Sequence, residues 1–408
     1  MEDWKEYRLD ELYVFGNGLS KGSKYFGYGH PFVSFKTVFN NYFLPEELSD
    51  YVDSDEKEQT KCSVQKSDVL LTRTSETVNE LGYSCVALRD YPKATFNGFC
   101  KRMRPITEGI IHDLYAGYYF RSSHFRNQVC SMSNMVTRAS LSNEMLGRLT
   151  IKLPSYKTQT QIGELLFSID RKIALNRQIN DNLEQQAQAL YKSWFIDFEP
   201  FKDGDFVESE LGLIPEGWKV VELGEVTKQI TEKVKNRTDV KVLSPVTTGE
   251  LVLSEEYFTK QVFSESIAKY ITVKPLQFAY NPARVNIGSL GMNTFEFDGC
   301  VSPVYVVFEC ERDYQYFFDY LRKTEAFKEE VLTRAIGGVR QSLSYKDFSL
   351  IKLIYPPRTI VEKFNRLYSN ILVSINHNKV EANNLTDMRD TLLPKLMSGE
   401  LKINEIDC

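Results

Sequence analysis

IGELLFSIDRKIALNRQINDNLEQQAQALYKSW (Ile162–Trp194) steps through Ile162, Leu166, Ile169, Ile173, Asn176, Asn180, Leu183, Ala187, Leu190 and Trp194 at intervals of four and three without a break. That alternation is the seam of a coiled coil. A second stretch repeats it through Phe364, Tyr368, Ile371, Ile375, Asn378, Ala382, Leu385, Arg389, Leu392 and Leu396. Over its 33 residues the first helix spans roughly 50 Å. Two matching seams in one chain most simply face each other. The order lobe, helix, lobe, helix makes that pair antiparallel. Asn176 and Asn378 then meet or nearly meet, and a polar residue in an apolar seam fixes register at a cost in stability.

The duplication extends beyond the helices. Adding 202 carries Leu141, Ser142, Leu146, Leu149 and Pro154 onto Leu343, Ser344, Phe348, Ile351 and Pro356. Adding 214 carries Trp4, Lys5, Leu9, Glu11 and Leu12 onto Trp218, Lys219, Leu223, Glu225 and Val226. An internal repeat of this kind predicts a two-lobed molecule with approximate two-fold symmetry, suited to a two-part target. Residues 1–155 form the first lobe, 156–200 the central helix, 201–356 the second lobe, and 357–408 the C-terminal helix and tail.

Each lobe mixes strand-like and helical stretches, so the fold class is α+β. Tyr28–Lys36, Ser67–Arg73, Lys241–Gly249, Leu276–Pro282 and Phe295–Glu309 read as strands. Asn97-Gly98 and Asp298-Gly299 read as hairpin turns in equivalent places. Asp113–Cys130 and Asp313–Leu332 read as one helix each.

The net charge of −5 and pI near 5.7 do not by themselves suggest a nucleic-acid partner. Residues 1–155 hold 19 basic and 19 acidic side chains, but seven of the acids lie in Glu46–Glu58, leaving the rest of that lobe modestly basic. Seven scattered cysteines without a CxxC pair fit reduced thiols in a cytoplasm. No apolar stretch reaches the length of a membrane span, and the charged opening MEDWKEYRLDEL is no signal peptide.

Catalytic signatures are missing from the sequence. There is no GxxxxGK[ST] phosphate loop. Asn281-Pro282-Ala283-Arg284 begins like the Asn-Pro-Pro-aromatic pocket of an adenine methyltransferase, then departs from it, and reads as a strand-end loop. His30, His112, His124 and His377 lack paired spacing for a metal. A bilobal enzyme arisen by duplication and a coiled-coil scaffold are the rival readings. The first lacks a matching catalytic constellation, and the second leaves two elaborate lobes without a task.

Several strings resemble the specificity subunits of Type I restriction–modification systems. They are ALYKSWFIDFEPF (Ala189–Phe201), GLIPEGWKVVELGEV (Gly212–Val226), DTLLPKLMSGEL (Asp390–Leu401), DVLLTRTSET (Asp68–Thr77) and FAYNPARVNIGSLG (Phe278–Gly291). The resemblance covers essentially the whole chain, in order. It implies two target recognition domains, each reading half of a split duplex DNA sequence, on helices that act as a ruler and dock two methyltransferase subunits. It also implies ATP-using restriction subunits and no catalysis by the chain itself. S-adenosylmethionine, ATP and Mg are then expected on partner subunits. A modification-only phage-defence complex of the same architecture is the close alternative.

Base reading needs fork-like donors and acceptors on loops that reach a groove. Four segments qualify at equivalent places: Thr72, Arg73, Thr74, Ser75 and Glu76; Asn134, Thr137 and Arg138; Asn281, Arg284 and Asn286; and Gly337, Gly338, Arg340 and Gln341. Lys101, Arg102 and Arg104 form the densest basic patch, a candidate for phosphate contact or simply a solvated hairpin.

Overall fold

A computed structural model describes residues 4–75, 80–132, 139–258, 260, 263–335 and 342–403. The chain divides into two compact units, residues 1–178 with 378–408, and residues 179–377. Both divisions fall inside the long helices, Tyr156–Phe195 and Arg358–Ser398, so each unit owns part of both.

In the first unit a four-stranded antiparallel sheet runs in the order Tyr13–Asn17, Cys100–Pro105, Val69–Thr72, Ser84–Val86. A second sheet places Phe26–Val33 between an antiparallel neighbour, Asp50–Val52, and a parallel one, Thr95–Phe96. Val69 and Leu71 enter one apolar cluster and Leu70 another. A strand buried on both faces has no polar alternation, which is why Val69, Leu70 and Leu71 read as an unbroken apolar run. The opening strand Lys5–Arg8 pairs antiparallel with the closing strand Thr150–Leu153.

The second unit repeats this plan. Its first sheet runs Thr227–Ile230, Val306–Cys310, Phe278–Tyr280, Leu290–Met292. In its second sheet Lys241–Pro245 pairs antiparallel with Leu251–Leu253 and parallel with Gly299–Val301, which Ile271–Val273 extends. The opening strand Lys219–Glu222 pairs with the closing strand Lys352–Tyr355. Lys5 faces Leu153 and Lys219 faces Tyr355, the same partners under the two sequence offsets.

Three local expectations are corrected. Asp113–Cys130 is two helices, Asp113–Tyr119 and Ser123–Met132, and its counterpart is Gln315–Leu321 and Glu325–Arg334. In the first unit the break is fixed by Arg121, whose guanidinium donates to the carbonyls of Val38, Phe39 and Ser84 and lies over the rings of Tyr42 and Tyr83. Asn97-Gly98 does not close a hairpin. The strand before it pairs with Phe26–Val33 and the strand after it with the other sheet, so the turn hands the chain between sheets. Asp298-Gly299 instead leads into Gly299–Val301, which a turn separates from Val306–Cys310.

Within each unit the long helices run antiparallel. In the first, Asp170 accepts from Arg389 at 2.6 Å and Asn176 donates to Glu381 at 2.7 Å, positions rising on one helix as they fall on the other. In the second, Asn180 donates to the Ile375 carbonyl, while Tyr191 and Phe195 pack on Phe364. Towards the end of the first helix the buried positions shift to Ala187, Tyr191 and Phe195, with Leu190 and Trp194 half-buried. Each helix end meets a lobe's first tryptophan: a Cβ on Gly399 (φ 75°) would sit 3.0 Å from Trp4, and Phe198 (φ 54°) stacks edge-on against Trp218.

Asn176 is 1% exposed, and its Oδ1 has no hydrogen-bond partner among the described residues. Asn378 is half-buried on the facing helix. A buried carbonyl left unmatched costs stability. Asn176→Leu is therefore expected to stabilise the first unit by about 1 kcal/mol in denaturant unfolding. A comparable loss would show that the bond to Glu381 outweighs the orphaned carbonyl.

Candidate nucleic-acid interface

In the first unit the central strand Val69–Thr72 delivers the first candidate segment. Thr72 itself is fully buried. Its hydroxyl donates to the Glu80 carbonyl at 2.7 Å and accepts from Tyr83 N at 3.0 Å. It is thereby removed from the set of DNA contacts, because a hydroxyl spent inside cannot reach a base edge. Thr74 and Ser75 pair antiparallel with Ser140 and Ala139, and Leu141 N donates to the Arg73 carbonyl at 2.9 Å. The loop after the strand and the segment before the closing helix are thus stitched together. Arg73 is half-buried, its guanidinium has no hydrogen bond or ion pair among the described residues, and its Nε is buried without a partner. Glu76, Asn134, Thr137 and Arg138 lie outside the described residues.

The second unit makes the same junction. Leu343 N donates to the Pro282 carbonyl at 3.1 Å, and Leu343 is the residue that the 202 offset makes equivalent to Leu141. Asn281 Oδ1 accepts from Ala283 N, capping a turn that leads into the short 3-10 segment Val285–Ile287. Gly288 (φ 94°) closes it, where a Cβ would stand 2.6 Å from the Thr247 carbonyl. Arg284 emerges exposed, with no ion pair among the described residues. Asn286 is half-buried, and Gly337, Gly338, Arg340 and Gln341 lie outside the described residues.

The basic patch turns inward. Lys101 is 4% exposed and donates to the side-chain carbonyls of Asn17, at 2.6 Å, and Asn143. Burial, then the neighbouring Arg73 guanidinium, pulls its ammonium below the ordinary lysine range. Arg102 donates to the Ser63 carbonyl and lies over Phe96. Arg104 grips fully buried Asp68 through two bonds of 2.6 and 2.7 Å. These side chains build the lobe, and Lys101 and Arg102 leave the phosphate-contact set. Consecutive basic residues on a strand face opposite sides, and here both sides find partners distant in sequence.

Beside Arg284 the second unit holds a cavity of about 240 Å3, walled by Tyr257, Phe258, Phe263 and Tyr305 with Asn281 and Arg284 among its polar lining. Burial raises the Tyr305 hydroxyl above its ordinary range, against the opposing pull of Arg284 and Asn281. Sequence reasoning missed these aromatics. The only local signal was Tyr257-Phe258, two large rings in a polar stretch. Among the described residues no group of three or more His, Cys, Asp or Glu side chains could hold a metal, and no helix is long and apolar enough to cross a membrane.

Residues 1–185 match a family described as the Type I restriction modification DNA specificity domain. The chain is 26% identical to the Type I restriction enzyme MjaIX specificity subunit of Methanocaldococcus jannaschii, over 99% of this chain and 95% of that one. It is 22% identical to the HindI specificity subunit of Haemophilus influenzae, over 98% of this chain and all (100%) of that one. Its fold is similar to the crystal structure of a Type I restriction–modification S subunit from M. genitalium, with a TM-score of 0.60 and 16% identity over 97% of this chain and 96% of that one.

Lys101→Met would strand two amide carbonyls, so a stability loss of about 1–3 kcal/mol is expected. The salt dependence of duplex binding should stay unchanged. A binding slope reduced by about one charge would return Lys101 to the phosphate contacts.

Proposed function

We propose that this chain is the sequence-reading subunit of a Type I restriction–modification complex, since residues 1–185 match the DNA specificity domain of such systems and specificity subunits align with almost the whole chain. It binds a split target in double-stranded DNA and positions two adenine methyltransferase subunits, and restriction subunits, on it. The chain recognises; methylation and ATP-dependent cleavage belong to its partners.

The observation that carries this reading is the duplicated junction. In each unit the end of a central strand is bonded to the segment before the closing helix, Leu141 to Arg73 and Leu343 to Pro282, and each junction presents an arginine whose guanidinium has no hydrogen bond or ion pair among the described residues. Elsewhere in the lobes arginines such as Arg104, Arg237 and Arg322 are consumed by internal carboxylates. An unpaired guanidinium on a rigid strand end suits bidentate contact with guanine. Exposed apolar side chains along the long helices, Leu175 and Val380 in the first unit and Val373 in the second, support partner docking there.

Co-expression with the methyltransferase partner, followed by mapping of modified adenines, tests the function. The expected result is a split motif with a fixed gap that vanishes when this chain is omitted. Dense or unsplit methylation independent of the chain would favour the scaffold reading. Arg284→Ala should weaken one half-site by about 1–3 kcal/mol and spare the other, with Arg73→Ala doing the converse. Equal loss across scrambled sequences would instead mark phosphate contacts. Four residues, about one helical turn, inserted near Asn180 should lengthen the gap between half-sites, and an unchanged gap would refute the ruler.

A further inference from the structure

We propose that the cavity beside Arg284 receives a single nucleobase turned out of the DNA duplex, a deepening that rests on the DNA-reading role above. The chemistry of the lining matches such a guest. Tyr257, Phe258, Phe263 and Tyr305 offer aromatic faces, on which a base of any identity can stack. Arg284 offers a planar fork of donors that nothing among the described residues occupies, and Asn281 stands next to it. That fork matches the paired acceptors of a guanine edge. A base held this way is recognised by stacking and by its hydrogen-bonding edge together, as extruded bases are.

Size and rigidity agree. At about 240 Å3 the cavity is smaller than the pockets of roughly 300–1,000 Å3 that hold drug-sized ligands, so it suits one planar ring with the sugar and phosphate left outside. Its floor is braced. Ser289 Oγ donates to the Pro245 carbonyl at 2.7 Å, Gly288 packs on Thr247, and the Tyr270 hydroxyl accepts from Ser264 N at 3.1 Å. A preformed site spends little binding energy on ordering itself. The first unit turns the polar atoms of the corresponding strand end inward, through Thr72 and the Lys101 bonds to Asn17 and Asn143. The extruded base therefore belongs to the half-site that Arg284 reads.

An extruded base leaves a signature, because unpairing it in advance removes part of the cost. The chain assembled with its methyltransferase is titrated with duplexes mismatched at each position of that half-site in turn, the methylated adenine excluded. One position should bind about tenfold tighter when mismatched. The gain should vanish in Tyr257→Ala, whose exposed side chain spares the fold, and in Phe263→Leu. Sequence-specific binding of the matched duplex with no gain at any position overturns extrusion and leaves the DNA-reading role standing. A gain that survives both substitutions overturns the assignment to this cavity. Free guanosine monophosphate that competes with duplex binding in the absence of any gain makes a mononucleotide the occupant and likewise overturns extrusion. Absence of sequence-specific binding by the unaltered complex removes the DNA-reading role itself, and the inference with it.

Discussion

Each lobe hangs on the pairing of its first strand with its last. Lys5–Arg8 against Thr150–Leu153, and Lys219–Glu222 against Lys352–Tyr355, draw together ends roughly 140 residues apart in sequence. Closing so long a loop costs entropy that the strand ladder alone does not repay. The return comes from what closure brings together: Leu9, Leu149 and Ile151 within one apolar cluster, Leu223, Ile351 and Leu353 within the other. The same closure presents Trp4 and Trp218 to the helix ends, so lobe and helix are braced by one event.

Legibility in the sequence followed the range of the interactions. The long helices could be read because their seam is local, each apolar residue lying three or four positions from the next. The twin lobes could be read because duplication leaves its trace in residue identity, Leu141 and Leu343 being the same residue at the same junction. Pairings across the lobe could not. Nothing near Lys101 or Arg104 in sequence announces Asn17, Asn143 or Asp68, and the basic run therefore reads as surface when it is structure. Parallel strand pairs, such as Phe32 with Thr95, were hidden for the same reason, and with them the true role of the Asn97-Gly98 turn.

The candidate site shows the same division from the other side. What sets Arg73 and Arg284 apart from Arg104, Arg237 and Arg322 is that no carboxylate among the described residues holds them, and such an absence is invisible until every nearby carboxylate has been assigned. Recognition surfaces hold such unspent groups because a donor already satisfied within the protein gains little by exchanging its partner for a base. The aromatic cavity lay beyond sequence reasoning because its walls come from stretches far apart in the chain, Tyr257, Phe258 and Phe263 meeting Asn281, Arg284 and Tyr305.

The way the compact units divide the long helices bears on the order in which the protein matures. Residues 179–377 are continuous in sequence, so that unit holds every residue of its core once they have been synthesised. The other unit begins first but takes Leu396 and Met397, both buried in its apolar cluster, from near the far end of the chain. Until those residues emerge it must wait with part of its core open to water, the state in which nascent chains are most prone to aggregate. The half translated first is thus the half completed last.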